Sequence, residues 1–230
     1  MTARKLRYDP NYYDDLVEQA RVFSSGFEQK LQQWADLVEF RFSRESIALD
    51  AGCGAGSVTR FLLSRCGQVV ALDRSKYSIE RAHEIIKEAH FCISDLDEAL
   101  PFVDASFHLI AAYEVIEHLR NPKAFLREAY RVLKAGGSLL IKTPNAWDLW
   151  RVLDPLRGKQ WYANADKTHV GYFHSLKLAR VLRDAGFREI KVRAGTRPIV
   201  YSQPKSRWNR RLPLFGLGLV ALARKGAINQ

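Results

Sequence analysis

Three stretches of the chain hold residue types that do chemistry. Ile47-Ala-Leu-Asp-Ala-Gly-Cys-Gly-Ala-Gly56 is an apolar run that passes into a glycine-rich turn. Gly52, Gly54 and Gly56 leave no side chain where a ligand must approach backbone closely and where positive φ is required. The helix expected from Ser57 would point unpaired N–H groups and a positive dipole end at a nucleotide-like ligand. Glu114-Val-Ile-Glu-His118 is the second stretch, and Asp166, Thr168, His169 and His174 belong to the third. Glu114, Glu117, His118 and His169 form a mixed oxygen and nitrogen set of the kind that holds Mg²⁺, Mn²⁺ or Zn²⁺. A metal there would bind a diol or catechol and lower its hydroxyl pKa. Without a metal, His118 and His169 are the candidate general bases, with Glu117 beside them, because histidine titrates near neutral pH.

The glycine spacing separates two classes of cofactor. A dinucleotide site uses G-x-G-x-x-G, whereas this loop reads G-x-G-x-G with Asp50 two positions ahead. A carboxylate there repels a pyrophosphate and suits a cation, which makes a dehydrogenase the poorer reading. S-adenosylmethionine carries a sulfonium and an ammonium, so its charge fits. Val69-Val-Ala-Leu-Asp73 is a second short strand ending in an acid, placed to accept from both ribose hydroxyls. Phe91 to Leu96 reads as a third strand, and Phe107 to Tyr113 as a fourth. Asn121-Pro122 starts a helix running to about Lys134, followed by a fifth strand, Ser138 to Lys142.

The run D-x-G-x-G-x-G at Asp50 to Gly56 resembles the first motif of the class I S-adenosylmethionine-dependent methyltransferases. EVIEHLRNPKAFLREAYRVLKAGGSLLIKTPN resembles that family's passage from fourth to fifth strand, with Ala135 where proline is common. The resemblance spans roughly residues 46 to 145. Within the family it is nearest the ubiquinone-biosynthesis type O-methyltransferases and the small-molecule methyltransferases around them. It implies that Asp95 bonds the adenine amino group, that Leu96 covers the ring, and that Tyr113 joins the cofactor contacts. The later stretch DKTHVGYFHSLKLARVLRDAGF resembles the segment in which a Thr-His pair faces the substrate pocket. The E-x-x-E-H string with a distal histidine is also similar to metal-dependent small-RNA 2′-O-methyltransferases.

These residues need a frame to meet. Strands alternating with helical segments imply right-handed βαβ units and a mainly parallel sheet. With the resemblance, the expected fold is a doubly wound, seven-stranded Rossmann-like α/β domain with an antiparallel last strand, Gly216 to Ala223, and an N-terminal helical lid. Residues 1–45 form the lid, 46–145 the cofactor-binding core, and 146–230 the substrate-side excursion and the C-terminal strands. The segment 11–42 is helical in pattern: Leu31, Trp34, Ala35, Val38 and Phe42 share one face. Tyr12 and Tyr13 are candidate lid contacts. Trp147, Trp150, Trp161 and Tyr162 crowd the excursion.

Three cysteines form no readable disulfide framework, which with the lack of an apolar leader predicts a cytoplasmic protein. Cys53 has no partners that would make it a nucleophile. The apolar run 212–223 is too short to cross a bilayer, so no transmembrane segment is expected. A net charge of +11 favours anionic partners. It concentrates in 197–211, where Arg197, Lys205, Arg207, Arg210 and Arg211 interleave with Tyr201 and Trp208, a pattern for RNA or an anionic membrane surface. The leading reading is methylation of a hydroxyl on a small-molecule or lipid-like acceptor. An RNA methyltransferase is the alternative, and a non-catalytic cofactor-binding partner protein stands third.

Overall fold

The computed structural model describes residues 25–164, 166–195, 216 and 218–227. Its elements in chain order are α1 (Ser25–Leu37), β1 (Ile47–Ala51), α2 (Ser57–Leu63), β2 (Gln68–Asp73), α3 (Lys76–Ile85), β3 (His90–Ile93) and β4 (Phe107–Tyr113). They continue with α4 (Pro122–Val132), β5 (Leu133–Pro144), α5 (Trp150–Leu156), α6 (Ser175–Asp184), β6 (Arg188–Gly195) and β7 (Gly218–Arg224). The seven strands form one sheet in the order β3-β2-β1-β4-β5-β7-β6. Neighbours from β3 through to β5 are parallel, and β7 runs antiparallel to both β5 and β6. This is the expected sheet, with its antiparallel last strand inserted one place from the edge.

Strand side chains alternate between faces, and both faces are apolar, as a doubly covered parallel sheet requires. In β4, Leu109 and Ala111 join α1 and α2 through Leu31, Trp34, Val58, Phe61 and Leu62. Ile110 and Ala112 face the other way, to α4 and α6 through Phe125, Leu126, Leu178 and Leu182. Among the described residues, no helix is long and apolar enough to cross a membrane.

Several boundaries differ from expectation. The helical pattern over 11–42 ends in the structure at Leu37. Phe40 N–H donates to the Ala35 carbonyl (2.9 Å) and Glu39 N–H to that of Asp36 (3.0 Å), with Glu39 at φ 61°. That is a Schellman cap whose left-handed position is occupied by glutamate, so no glycine marks it in the sequence. Leu31, Trp34, Ala35 and Val38 are buried as expected, and Phe42 still packs edge-on to Phe61 from beyond the helix. β3 stops at Ile93, which leaves Asp95 and Leu96 in the loop after it. α4 ends at Val132, because Leu133 already pairs with Phe107 and lengthens β5 to Leu133–Pro144. Lys225 Nζ takes the carbonyls of Arg131 (3.2 Å) and Leu133 (2.7 Å) at that junction. The last strand runs Gly218–Arg224, two residues later at its start than read from the sequence. Tyr8, Tyr12, Tyr13, Phe23 and the basic segment 197–211 lie outside the described residues.

Candidate functional site

The glycine loop leaves β1 at the sheet's carboxyl edge. Gly52, Gly54 and Gly56 all have positive φ, at 81°, 50° and 87°. At Gly52 a Cβ would stand 2.6 Å from Val115 Cγ2, so conformation and space both demand glycine. Gly56 caps α2 in the left-handed conformation with no side chain of its own. The α2 N-terminus is therefore presented without a local side-chain lid.

Asp50 and Asp73 sit on either side of this loop with different tasks. Asp50 is buried and accepts from the Thr59 hydroxyl at 2.6 Å, tying β1 to the first turn of α2. Burial pushes its carboxyl up to about 7, against the pull of that hydrogen bond. Its expected electrostatic role toward a cationic ligand is thus joined by a structural one. Asp73 Oδ2 accepts from Gly54 N–H (2.9 Å) and Oδ1 from Ser75 N–H (2.8 Å). Each of those oxygens keeps a second lone pair, which suits a ribose diol. Leu96 is buried and Asp95 stands half-exposed beside Arg74, its Oδ2 3.9 Å from the guanidinium. Tyr113 is packed edge-on by Phe27 and Trp34, and burial pushes its phenol up to about 12. Burial likewise lifts the Cys53 thiol far above its ordinary value, which fits a packing residue and not a nucleophile.

Glu117, His118 and His169 come together where β4 ends. Each offers a ligand atom, and these atoms lie within 4.8 Å of one another. The two imidazole rings are 4.6 Å apart between centroids. The loop bearing His169 is fastened there by backbone: Val170 and Gly171 N–H both donate to the Glu117 carbonyl, at 2.8 and 3.1 Å. Glu117 is fully buried. Its Oε2 accepts from the Thr143 hydroxyl at 2.9 Å, while Oε1 has no hydrogen-bond partner. Burial pushes that carboxyl up and pulls the His118 imidazole down, toward its neutral form.

The histidine partners define which ring nitrogen carries a proton. His169 Nδ1 lies 2.6 Å from the Ala163 carbonyl, which only accepts, so Nδ1 holds the hydrogen and Nε2 the lone pair. Thr168 gives its hydroxyl proton to Asp166 Oδ1 (2.5 Å) and so accepts from His118 Nδ1 (2.8 Å). His118 Nε2 is again the lone-pair atom of that tautomer. Carbonyl-held and hydroxyl-held imidazoles of this kind are what a metal site's supporting shell provides.

Glu114, read as a fourth ligand, stands outside this group. It takes a left-handed φ of 53°, which turns it to an ion pair with Lys142 from β5. Lys142 Nζ also lies over the Tyr113 ring at 5.1 Å. Several supporting residues escaped the sequence reading. Asp97 accepts from the backbone of Arg120 and Asn121 (both 2.9 Å), anchoring the start of α4. Asp148 accepts from Trp161 Nε1 at 2.8 Å, holding the excursion that carries His169. Asn145, which the sequence places after the fifth strand at the same edge, donates from Nδ2 to the Gly216 carbonyl at 2.7 Å.

The family model described as "Methyltransferase domain" matches residues 49–141, from the middle of β1 into β5. The malonyl-[acyl-carrier protein] O-methyltransferase of Pseudescherichia vulneris is 30% identical over 134 residues, 55% of this chain and 53% of that protein. The mitochondrial ubiquinone biosynthesis O-methyltransferase of Rattus norvegicus is 35% identical over 112 residues, 46% of this chain and 32% of that protein. The chain thus spans about half the length, or less, of these curated relatives. The solved structure of a SAM-dependent methyltransferase from Archaeoglobus fulgidus superposes with a TM-score of 0.66 at 19% identity, covering 93% of this chain and 100% of that one. That likeness is one of fold. The ordered motifs, the sheet order and these matches together support a class I S-adenosylmethionine-dependent methyltransferase, with the family match lying over residues 49–141.

Proposed function

We propose that the protein methylates a hydroxyl on a small-molecule or lipid-like acceptor that binds against Glu117, His118 and His169. The buried, unpartnered Glu117 Oε1 beside two imidazoles is the observation that carries this reading. A carboxylate oxygen kept from water and protein donors is costly unless a proton or a cation meets it. The donor set, one carboxylate and two imidazoles, fits a divalent ion such as Mn²⁺ or Zn²⁺. Glu117, His118 and His169 would hold that ion, and it would supply Lewis acidity that lowers the pKa of an acceptor hydroxyl. S-adenosylmethionine, when bound, supplies an electrophilic methyl group.

The chain's own residues then have few tasks. The loop from Gly52 to Gly56 and Asp73 hold the cofactor's ribose side, while Asp166 and Thr168 keep His118 in one tautomer. With no ion held, His118 or His169 would receive the acceptor proton at the same Nε2, and Tyr113, Phe27 and Trp34 keep water from the β4 end. The ubiquinone biosynthesis and malonyl-carrier relatives are O-methyltransferases by name, which supports oxygen as the acceptor atom. The net charge of +11 favours a second reading, an RNA acceptor.

Catechol is the probe that tests the leading reading. Incubated with S-adenosylmethionine and the metal-stripped chain plus Mn²⁺, it should be O-methylated, and chelation should abolish the product. Product formation indifferent to chelation would leave the histidine base and remove the metal. Methyl transfer to an oligoribonucleotide but not to catechol would favour RNA.

A further inference from the structure

Among the described residues seven large apolar side chains stand exposed, and five of them, Leu149, Val152, Leu156, Val170 and Leu176, fall within residues 149–176. Three belong to α5 and its approach. Leu149, Val152 and Leu156 are spaced i, i+3 and i+7 and so share one helix face. They are 53%, 63% and 79% exposed, and α5 buries no residue at all. Among the described residues nothing in the fold explains a short helix that buries none of its own side chains and shows an apolar face.

The surrounding charge is basic. Residues 149–177 hold five Lys and Arg against two acids. Arg151 is engaged inward, donating to the Ala146 carbonyl at 3.1 Å and lying over the Trp161 ring. Arg157, Lys159, Lys167 and Lys177 are exposed, with the Arg157 guanidinium 4.8 Å above the Trp150 ring. Aliphatic side chains, a tryptophan and flanking bases on one helix are what an interfacial segment presents to headgroups and acyl chains. RNA recognition would ask for exposed aromatic faces and hydrogen-bonding groups in place of leucine and valine. A second copy of the chain would bring the same positive charge against itself.

We propose that this face docks the protein onto an anionic lipid surface. The placement gives docking a consequence, since the same excursion carries His169 and bonds the Glu117 carbonyl through Val170 and Gly171. A bilayer meeting α5 would lie beside the acceptor edge, where an amphiphile could pass without crossing water. The inference goes beyond the proposed reaction and is read without turnover, so its failure would leave that reaction standing.

Vesicle flotation of the full chain tests it. The chain should float with phosphatidylcholine vesicles containing about 30 mol % phosphatidylglycerol and much less with pure phosphatidylcholine, with binding weakened by salt. The triple change Leu149→Ser, Val152→Ser and Leu156→Ser should lower partitioning by about tenfold or more, and Arg157→Ser with Lys159→Ser should also lower it. In the unaltered chain, hydrogen exchange over 149–160 should slow on anionic vesicles, a readout that does not depend on how the variants fold. The proposal is overturned if the triple variant floats like the parent, or if 149–160 exchanges equally with and without vesicles. It is equally overturned if an oligoribonucleotide or self-association protects that segment and vesicles do not.

Discussion

S-adenosylhomocysteine should bind the Asp73→Ala chain about ten- to a hundredfold more weakly than the parent in calorimetry. Two effects combine in this loss. Alanine leaves the Gly54 and Ser75 N–H groups without the carboxylate that accepts from them, so the loop is no longer held in its binding shape. The ribose hydroxyls lose their acceptor as well. Asp73→Asn keeps one acceptor oxygen and should lie between the two. Gly52→Val should be worse than either, because it forces a β-branched residue to φ 81° with its Cβ 2.6 Å from Val115 Cγ2. Unchanged affinity in Asp73→Ala would mean that this acid only ends a strand.

Glu117→Gln should leave S-adenosylhomocysteine affinity intact and lower methyl transfer to catechol by roughly a hundredfold. Glutamine has the same shape and can still accept from the Thr143 hydroxyl through its carbonyl, so the fold is spared. What disappears is a negative charge buried beside two imidazoles. Mn²⁺ titrated into the stripped chain should bind correspondingly less tightly to this variant. Thr168→Val breaks the link between Asp166 and His118 while leaving the ligand atoms in place, and should cost about ten- to a hundredfold. Full transfer by Glu117→Gln would remove Glu117 from the reaction.

Sequence reading reached some of these residues better than others, for physical reasons. β1, β2 and β4 are short apolar runs bounded by turns, and β4 was read at its observed limits, Phe107 to Tyr113. The meeting of His118 and His169 was also legible, because only the carboxyl edge of a parallel sheet can bring a β4 end and a loop after β5 together. Side-chain direction was not. Glu114 looks like a ligand in E-x-x-E-H, yet its φ of 53° gives it to Lys142, twenty-eight positions away. Asp50 was read for its charge, and its hydrogen bond to Thr59 carried no signal in the sequence. The end of α1 depends on a left-handed glutamate that no turn signal announces. Nothing in Trp150 to Leu156 told a covered helix from an uncovered one, since the same apolar spacing serves both.

The cofactor pocket is the claim on which the others stand, and one titration tests it directly. Calorimetry of the purified chain with S-adenosylhomocysteine, alongside NAD under the same conditions, should show one S-adenosylhomocysteine bound per chain and no heat from NAD. Binding of NAD with none of S-adenosylhomocysteine would contradict the reading of the glycine loop, Asp73 and everything built on them.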